Sequence, residues 1–217
     1  MTLATFASYT ALALLGMQMG KKSKDQNPKL VFLKGRKVNL RPLRKATDFE
    51  LCLRWINDPE VNQYLLVYMP MTEKKEAEWF DNLANNPGEI VLGIETLEGK
   101  LIGTMGLHRI NSKDRTAMTG ALIGEKQYWS RGYGTDAKMT LLDYAFNTLN
   151  LRKINSSVYA FNKRSLKYNL KCGYQIEGIR KKQIFRNGKY RDEILIAVFR
   201  ENWLPIWKKY CKTGRVY

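Results

Sequence analysis

From Gly35 onward, apolar and polar positions follow two alternating periods. Residues 37–41 alternate with period two and end at Pro42, which predicts a short strand. Thr47-Asp48-Phe49-Glu50 has capping-box spacing. A helix is therefore expected to start there and turn Leu51, Leu53 and Trp55 inward until Asn57-Asp58-Pro59 stops it. Thr72 should cap a second helix that reaches about Asn85, with Ala77, Phe80, Leu83 and Ala84 as its apolar stripe. After the break at Asn86-Pro87-Gly88, residues 90–95 and 100–107 read as strands joined by a tight turn at Glu98-Gly99, and 116–124 as a third strand.

The helical period is clearest over residues 136–149, where Ala137, Leu141, Ala145 and Leu149 recur every four residues. Residues 153–160 alternate as a strand, and 164–172 form a short helix stopped by Gly173. Residues 183–186 and 189–199 make a hairpin across Asn187-Gly188. From Leu204 the chain is basic and shows no pattern. The order strand, helices, three strands, helix, strand, helix, hairpin predicts the α/β class, in the α+β sense of one mixed sheet with helices against it. We divide the chain into an N-terminal extension at 1–34, a domain at 35–203 and a basic tail at 204–217.

Charge changes the picture. The 217 residues carry a formal net charge of +17, and residues 152–217 hold 17 basic and 4 acidic side chains. Such a field attracts acidic or phosphate-bearing partners, or simply forms a solvated basic surface. Of the three cysteines, Cys52 and Cys172 fall in apolar helical patterns and are expected as buried free thiols, which places the chain in a reducing, cytoplasmic setting. Their spacing predicts no metal site. Residues 1–20 are mildly apolar and have Lys21, Lys22 and Lys24 after them, the reverse of a secretory signal. They read as an upstream extension with the natural start at Met17 or Met19, as a disordered tail, or as a weak membrane-surface segment, with no stable insertion.

The stretch Tyr128-Trp129-Ser130-Arg131-Gly132-Tyr133-Gly134-Thr135-Asp136-Ala137 lies between a strand and an amphipathic helix. Glycines let the backbone approach a ligand there, and the free N–H groups and positive dipole end of the helix suit a diphosphate. No Gly-Lys-Ser/Thr is present, which excludes a P-loop. Two glycines after a meander strand also argue against a dinucleotide-binding βαβ unit.

That loop, together with Leu40-Arg41-Pro42-Leu43, Arg54-Trp55-Ile56-Asn57-Asp58-Pro59-Glu60-Val61, Asn162-Lys163-Arg164-Ser165 and Lys171-Cys172-Gly173-Tyr174, resembles the GNAT superfamily of N-acetyltransferases, and within it the RimJ/RimL-like branch. The resemblance covers residues 37–204. It implies a GNAT-type acyl-CoA N-acyltransferase fold with a mostly antiparallel central sheet, acetyl-CoA as cosubstrate, and direct transfer of acetyl to a primary amine. By the same resemblance the backbone of Arg131, Gly132, Tyr133, Gly134 and Thr135 holds the CoA diphosphate, and Ala121, Leu122 and Ile123 pair with the pantetheine arm. Asn162 bonds that arm. Apart from the resemblance, Lys163, Arg164, Lys167 and Lys171 share one helix as a basic stripe, in which Lys163 and Arg164 are candidates to meet the 3′-phosphate. A homodimer is frequent in the family.

Two departures bear on catalysis. Many relatives place a general-acid Tyr where this chain has Asn169, and a Glu where it has Met118. Ser165, Tyr168 or water then does the acid's work, and the base stays unassigned. His108, the one histidine, lies near the acceptor entrance and can take a proton when neutral, although a lone His at a strand end is more often a surface or half-buried residue. Trp55, Asn57 and Tyr64 fall on the acceptor side, Trp55 reading as core. Asp192 and Glu193 read as cross-strand partners of Arg186 or Lys189. The acceptor classes left open are a protein N-terminus, an amino sugar carried or not on a nucleotide, and a polyamine or aminoglycoside. The rival reading is a non-catalytic protein of this fold that binds RNA or ribosome through its basic last third.

Overall fold

The computed structural model describes residues 30–216, so expectations for residues 1–29 lie outside the described residues. Eight strands form one sheet: β1 (Leu33–Lys34), β2 (Val38–Pro42), β3 (Ile90–Thr96), β4 (Leu101–Asn111), β5 (Thr116–Ile123), β6 (Lys153–Tyr159), β7 (Gln175–Arg186) and β8 (Lys189–Phe199). Their spatial order is β1-β2-β3-β4-β5-β6-β8-β7. Neighbours are antiparallel except β5 and β6, which run parallel. The helices are α1 (Lys45–Asn57), α2 (Pro59–Asn62), α3 (Glu73–Asn82), α4 (Tyr133–Asp143), α5 (Lys163–Lys171) and α6 (Arg200–Thr213).

Successive strand residues point to opposite faces, so Ile102 and Leu101 enter different cores. Ile102 joins the main cluster with Leu141, Leu142, Phe146 and Trp203. Leu101 and Leu122 meet Cys52, Trp55 and Phe80 from α1 and α3. Both faces of the sheet are covered, and both predicted buried thiols, Cys52 and Cys172, are buried and free.

Several boundaries differ from the pattern. Helix α1 begins at Lys45 because Asp48 is not idle inside a capping box: its carboxylate accepts from the Arg44 amide (2.7 Å) and from Arg41 Nη1 (2.7 Å). Thr72 does cap α3, accepting from the Lys75 amide. Helix α4 starts three residues earlier than predicted, because Gly132 at φ 88° serves as its N-cap. The single turn at Tyr144–Thr148 is a π-turn. The last hairpin strand β7 is longer than 183–186, with register shifts at Ile176/Gly178 and Arg180/Ile184 and mostly exposed side chains. It lacks the alternation that would reveal it.

The tail predicted as patternless from Leu204 is the body of α6. Trp203 and Tyr210 are buried, and the stacked rings of Trp203, Trp207 and Tyr210 follow helical spacing between lysines. At the other end, Phe32 donates its amide to the Leu40 carbonyl and β1 pairs with β2, so residues 32–34 belong to the sheet rather than to an extension. Asp136 ties these ends to the first turn of α4. Its buried carboxylate accepts from the amides of Arg36, Lys37 and Val38 and from the Tyr210 hydroxyl.

Candidate active site

The one parallel pairing in the sheet is short. Strands β5 and β6 pair only from Thr116↔Lys153 to Met118↔Asn155 and then part. Beyond the split, the Ser156 hydroxyl donates to the Thr119 carbonyl at 3.0 Å, and the gap widens from there. A cleft of about 690 Å³ fills it.

Backbone parity decides which groups face this gap. The Thr119 carbonyl points to β6, and along a strand the polar groups of every second residue point the same way. Ala121 and Ile123 therefore turn their N–H groups into the gap, where no strand pairs with them. The Ile123 carbonyl is taken by the Trp129 indole at 2.7 Å. Leu122 has the opposite parity, shared with Gly124, whose amide donates to Ile102 of β4. Leu122 thus borders the cleft with its side chain, while its backbone serves the β4 pairing.

At the wide end lies the glycine loop. The first helical bond of α4 runs from the Asp136 amide to the Gly132 carbonyl, so the amides before Asp136 are not used by the helix. Gly132, Gly134 and Thr135 line the cleft, and a β-carbon on Gly134 would meet nothing closer than 3.8 Å, which leaves the cup open. Free N–H groups, a helix dipole and an open cup suit a diphosphate.

The α5 wall brings Asn162, Ser165, Tyr168 and Asn169 to the same cleft. Asn162 Oδ1 caps α5 by accepting from the Ser165 amide at 3.1 Å. Burial pushes the Tyr168 phenol well above its ordinary value, so it is a proton-bearing group at neutral pH. Arg164 lies 3.8 Å from the centroid of Trp129 and 5.5 Å from that of Tyr64, bridging the glycine loop to the far end. Arg131, Tyr133 and Lys163, expected at the cofactor, do not line the cleft. Tyr133 packs edge-on against Tyr128, the Arg131 carbonyl accepts from Lys37 Nζ, and Lys163 is exposed at the first turn of α5.

The far end is formed by Ile56, Val61, Tyr64, Leu65 and Val67, with Glu89 and His108 beside them. His108 Nδ1 stands 3.4 Å from Glu89 Oε1. Its Nε2 lies over the glycines: a β-carbon at Gly106 or Gly120 would come within 3.1 Å of it. Tyr159 and Arg186 both donate to the Leu65 carbonyl and hold this loop down. Trp55 is core, as its pattern predicted, with its indole donating to Glu125. Asn57 braces the loop by bonding Leu53 and both polar groups of the Met71 backbone. Asp192 and Glu193 are paired as expected, but with Lys181 and Arg180.

Sequence reasoning missed Glu89, Thr119, Ser156 and Lys138 as cleft residues. Lys138 carried a signal. It lies three and four residues before Leu141 and Leu142, so a lysine occupies the apolar stripe.

Two parallel strands that part above the free N-terminus of a helix, with unpaired amides along one of them, suit an extended ligand that carries amides and a diphosphate. Residues 37–175 match the acetyltransferase (GNAT) domain, and the chain belongs to that family. It is 30% identical over 177 residues to the Bacillus subtilis (strain 168) protein named "Probable N-acetyltransferase YjcK", covering 76% of this chain and 96% of that one. It is 28% identical over 172 residues to spermidine N(1)-acetyltransferase of Escherichia coli (strain K12), covering 77% and 88%. The fold matches the crystal structure of spermidine N-acetyltransferase from Vibrio cholerae in complex with CoA and spermine, with TM-score 0.72, 24% identity and coverage of 77% and 98%. The chain is an acetyl-CoA-dependent N-acetyltransferase that acts on a primary amine.

Proposed function

We propose that the cleft binds acetyl-CoA with its diphosphate on the α4 cup and its arm along β5, and acetylates an amine that enters between Tyr64 and His108. The observation that carries this is the parting of β5 from β6 at Met118↔Asn155 above the Gly132 cap. The residues present fit the group. The amides before Asp136 offer donors to a diphosphate, and the unpaired amides of Ala121 and Ile123 offer partners to an extended amide chain. Bound acetyl-CoA supplies the activated acyl group. The β5 amides in the gap are placed to donate to an acyl oxygen as charge develops on it. In this reading His108, whose Nδ1 lies 3.4 Å from Glu89 Oε1, takes the proton that the acceptor ammonium must lose. The RimJ/RimL-like branch and a cytoplasmic setting belong to the same proposal, supported by the motifs at 40–43 and 162–174 and by three free cysteines.

For the acceptor we infer a single amine on an apolar, neutral or anionic body. The apolar far end supports this, as does a lining that holds one carboxylate, Glu89, against the cations Arg109, Arg164 and Lys138. The names of the spermidine-acetylating relatives favour a polyamine instead. A panel of a short N-terminal peptide, an amino-sugar nucleotide and spermidine, read by release of CoA thiol, separates the readings. The peptide or amino sugar should exceed spermidine in kcat/KM by about tenfold or more. A spermidine rate above both would overturn the acceptor assignment. No thiol release with any amine, together with no heat on titrating acetyl-CoA, would overturn the site.

A further inference from the structure

Lys138 is a charged side chain in a place that gives it no counter-charge. It is 1% exposed, one turn inside α4, and borders the narrow end of the cleft. Its Nζ donates to the Thr119 hydroxyl at 2.7 Å, and that hydroxyl also bonds the Tyr174 phenol at 2.7 Å. The rings of Tyr168 and Tyr174 have their centroids 5.6 and 5.2 Å from Nζ. The titratable groups around it are Tyr168 of α5, and Cys172 and Tyr174 after it; burial holds all three in their neutral forms at neutral pH. No carboxylate pairs with Lys138 among the described residues. A buried lysine has three donors and a large desolvation cost, and the Thr119 hydroxyl uses one donor. Structural stability alone gives no reason to keep it there, because an apolar side chain of equal length would fill the space at lower cost.

Its position gives a reason. Thr119 is the first β5 residue beyond the last paired one, so Nζ marks the apex of the split. From Ile123 to Thr119 is about 13 Å of strand. A ligand anchored on the α4 cup and running along β5 brings its far, reactive end to that apex. Asn169 is there too, with its buried Oδ1 lacking a hydrogen-bond partner, and a carboxamide cannot give up a proton at neutral pH.

We propose that Lys138 is the group that receives the leaving sulfur, its ammonium first pairing with the negative charge and then donating a proton to it. This rests on the acetyl-CoA reading above. When nitrogen bonds the acyl carbon, the C–S bond breaks with its electron pair on sulfur. Lys138 Nζ gives one proton to that sulfur and is left as a neutral amine, and water restores its proton when the products leave. Burial lowers the Lys138 ammonium to about 8, which makes it acidic enough to donate and basic enough to recover.

The test reads the bound thiol itself. CoA is bound to the protein, and the near-ultraviolet absorbance of its thiolate is followed against pH for wild type, Lys138→Met and Thr119→Val. Met matches the length of Lys and removes a buried charge, so the variant should melt no lower than wild type. In wild type the bound thiol should titrate about one unit or more below an ordinary thiol. In Lys138→Met it should titrate at or above the ordinary value, with Thr119→Val between the two. For the same Met variant kcat should fall about a hundredfold with KM for acetyl-CoA changed by less than about threefold. If CoA binds to both proteins and the thiol titrates alike in wild type and Lys138→Met, the assignment of Lys138 is wrong and the acetyl-CoA site stands. If wild type binds no CoA, both fall together.

Discussion

Arg41 is 3% exposed, yet it reaches two carboxylates, with Nε 2.6 Å from Glu95 and Nη1 2.7 Å from Asp48. This triad pins α1 to β2 and β3. Burial alone would raise the Asp48 carboxyl; the hydrogen bonds from Arg41, the Arg44 amide and Thr47 outweigh it and hold the group below its ordinary value. A lowered folded-state value stabilises above the unfolded one and is lost as pH falls through the folded one, so this contribution should fade below about pH 4. Arg41→Met leaves two carboxylates buried without a cation, at a cost of about 3–5 kcal/mol by urea melt. The sign of this contribution's pH dependence should also reverse. The variant's stranded carboxyls bind protons more readily folded than unfolded, so from pH 7 to 5 it should gain stability relative to wild type. At this scale the sequence showed Asn162, Ser165 and Tyr168 correctly as neighbours of one helix, because short-range spacing fixes them. It hid Thr119 and Glu89, since the meeting of strands far apart in sequence is a tertiary fact, and it marked Lys138 only as a lysine in an apolar stripe, without its burial. Lys163 and Arg164 were legible only as one basic pair, because adjacent positions on a helix differ by about 100° and only the structure shows that Arg164 turns toward Trp129.

Among the elements, the first turn of α4 carries most of the function. Gly132 sits at φ 88°, a conformation that an L residue reaches at a cost of about 1–2 kcal/mol. Gly132→Ala should therefore lower stability by about that amount or flatten the loop. Either response displaces the amides before Asp136 and should raise KM for acetyl-CoA roughly tenfold, with kcat at saturation nearly unchanged. A KM equal to wild type would show that the cup does not grip the cosubstrate. This turn was legible because glycines before a strong helical period leave a clear mark. The elements that were misread lack such marks. Most β7 side chains are exposed on a sheet edge, so no alternation separates inside from outside. In α6, Lys208, Lys209 and Lys212 interrupt the aromatic stripe of Trp203, Trp207 and Tyr210, and Pro205 falls near its start, so charge and a helix breaker masked the period. The boundary drawn at 203 cut that helix in its first turn.

The field of the whole molecule acts on whichever anion enters the cleft. The +17 charge is concentrated after residue 152, and the acidic residues of β7 and β8 are already matched: Glu177 with Lys153, Asp192 with Lys181, Glu193 with Arg180. Arg164, on the cleft wall, lies on the same helix as Lys163 and Lys167, so the excess charge adjoins the entrance of an anionic cosubstrate. Charges that steer a ligand from a distance are screened within about 10 Å at 0.1 M salt, whereas the buried apex of the cleft is not. Raising salt from about 0.02 to 0.5 M should thus lower kcat/KM for acetyl-CoA by about tenfold or more while kcat at saturation moves by less than twofold. Replacing Lys163 and Lys167 with Gln together should remove part of that salt dependence without touching kcat, because neither side chain lines the cleft. A kcat/KM that is flat with salt would mean that the basic last third faces something other than the cosubstrate, which is what the RNA-binding alternative requires.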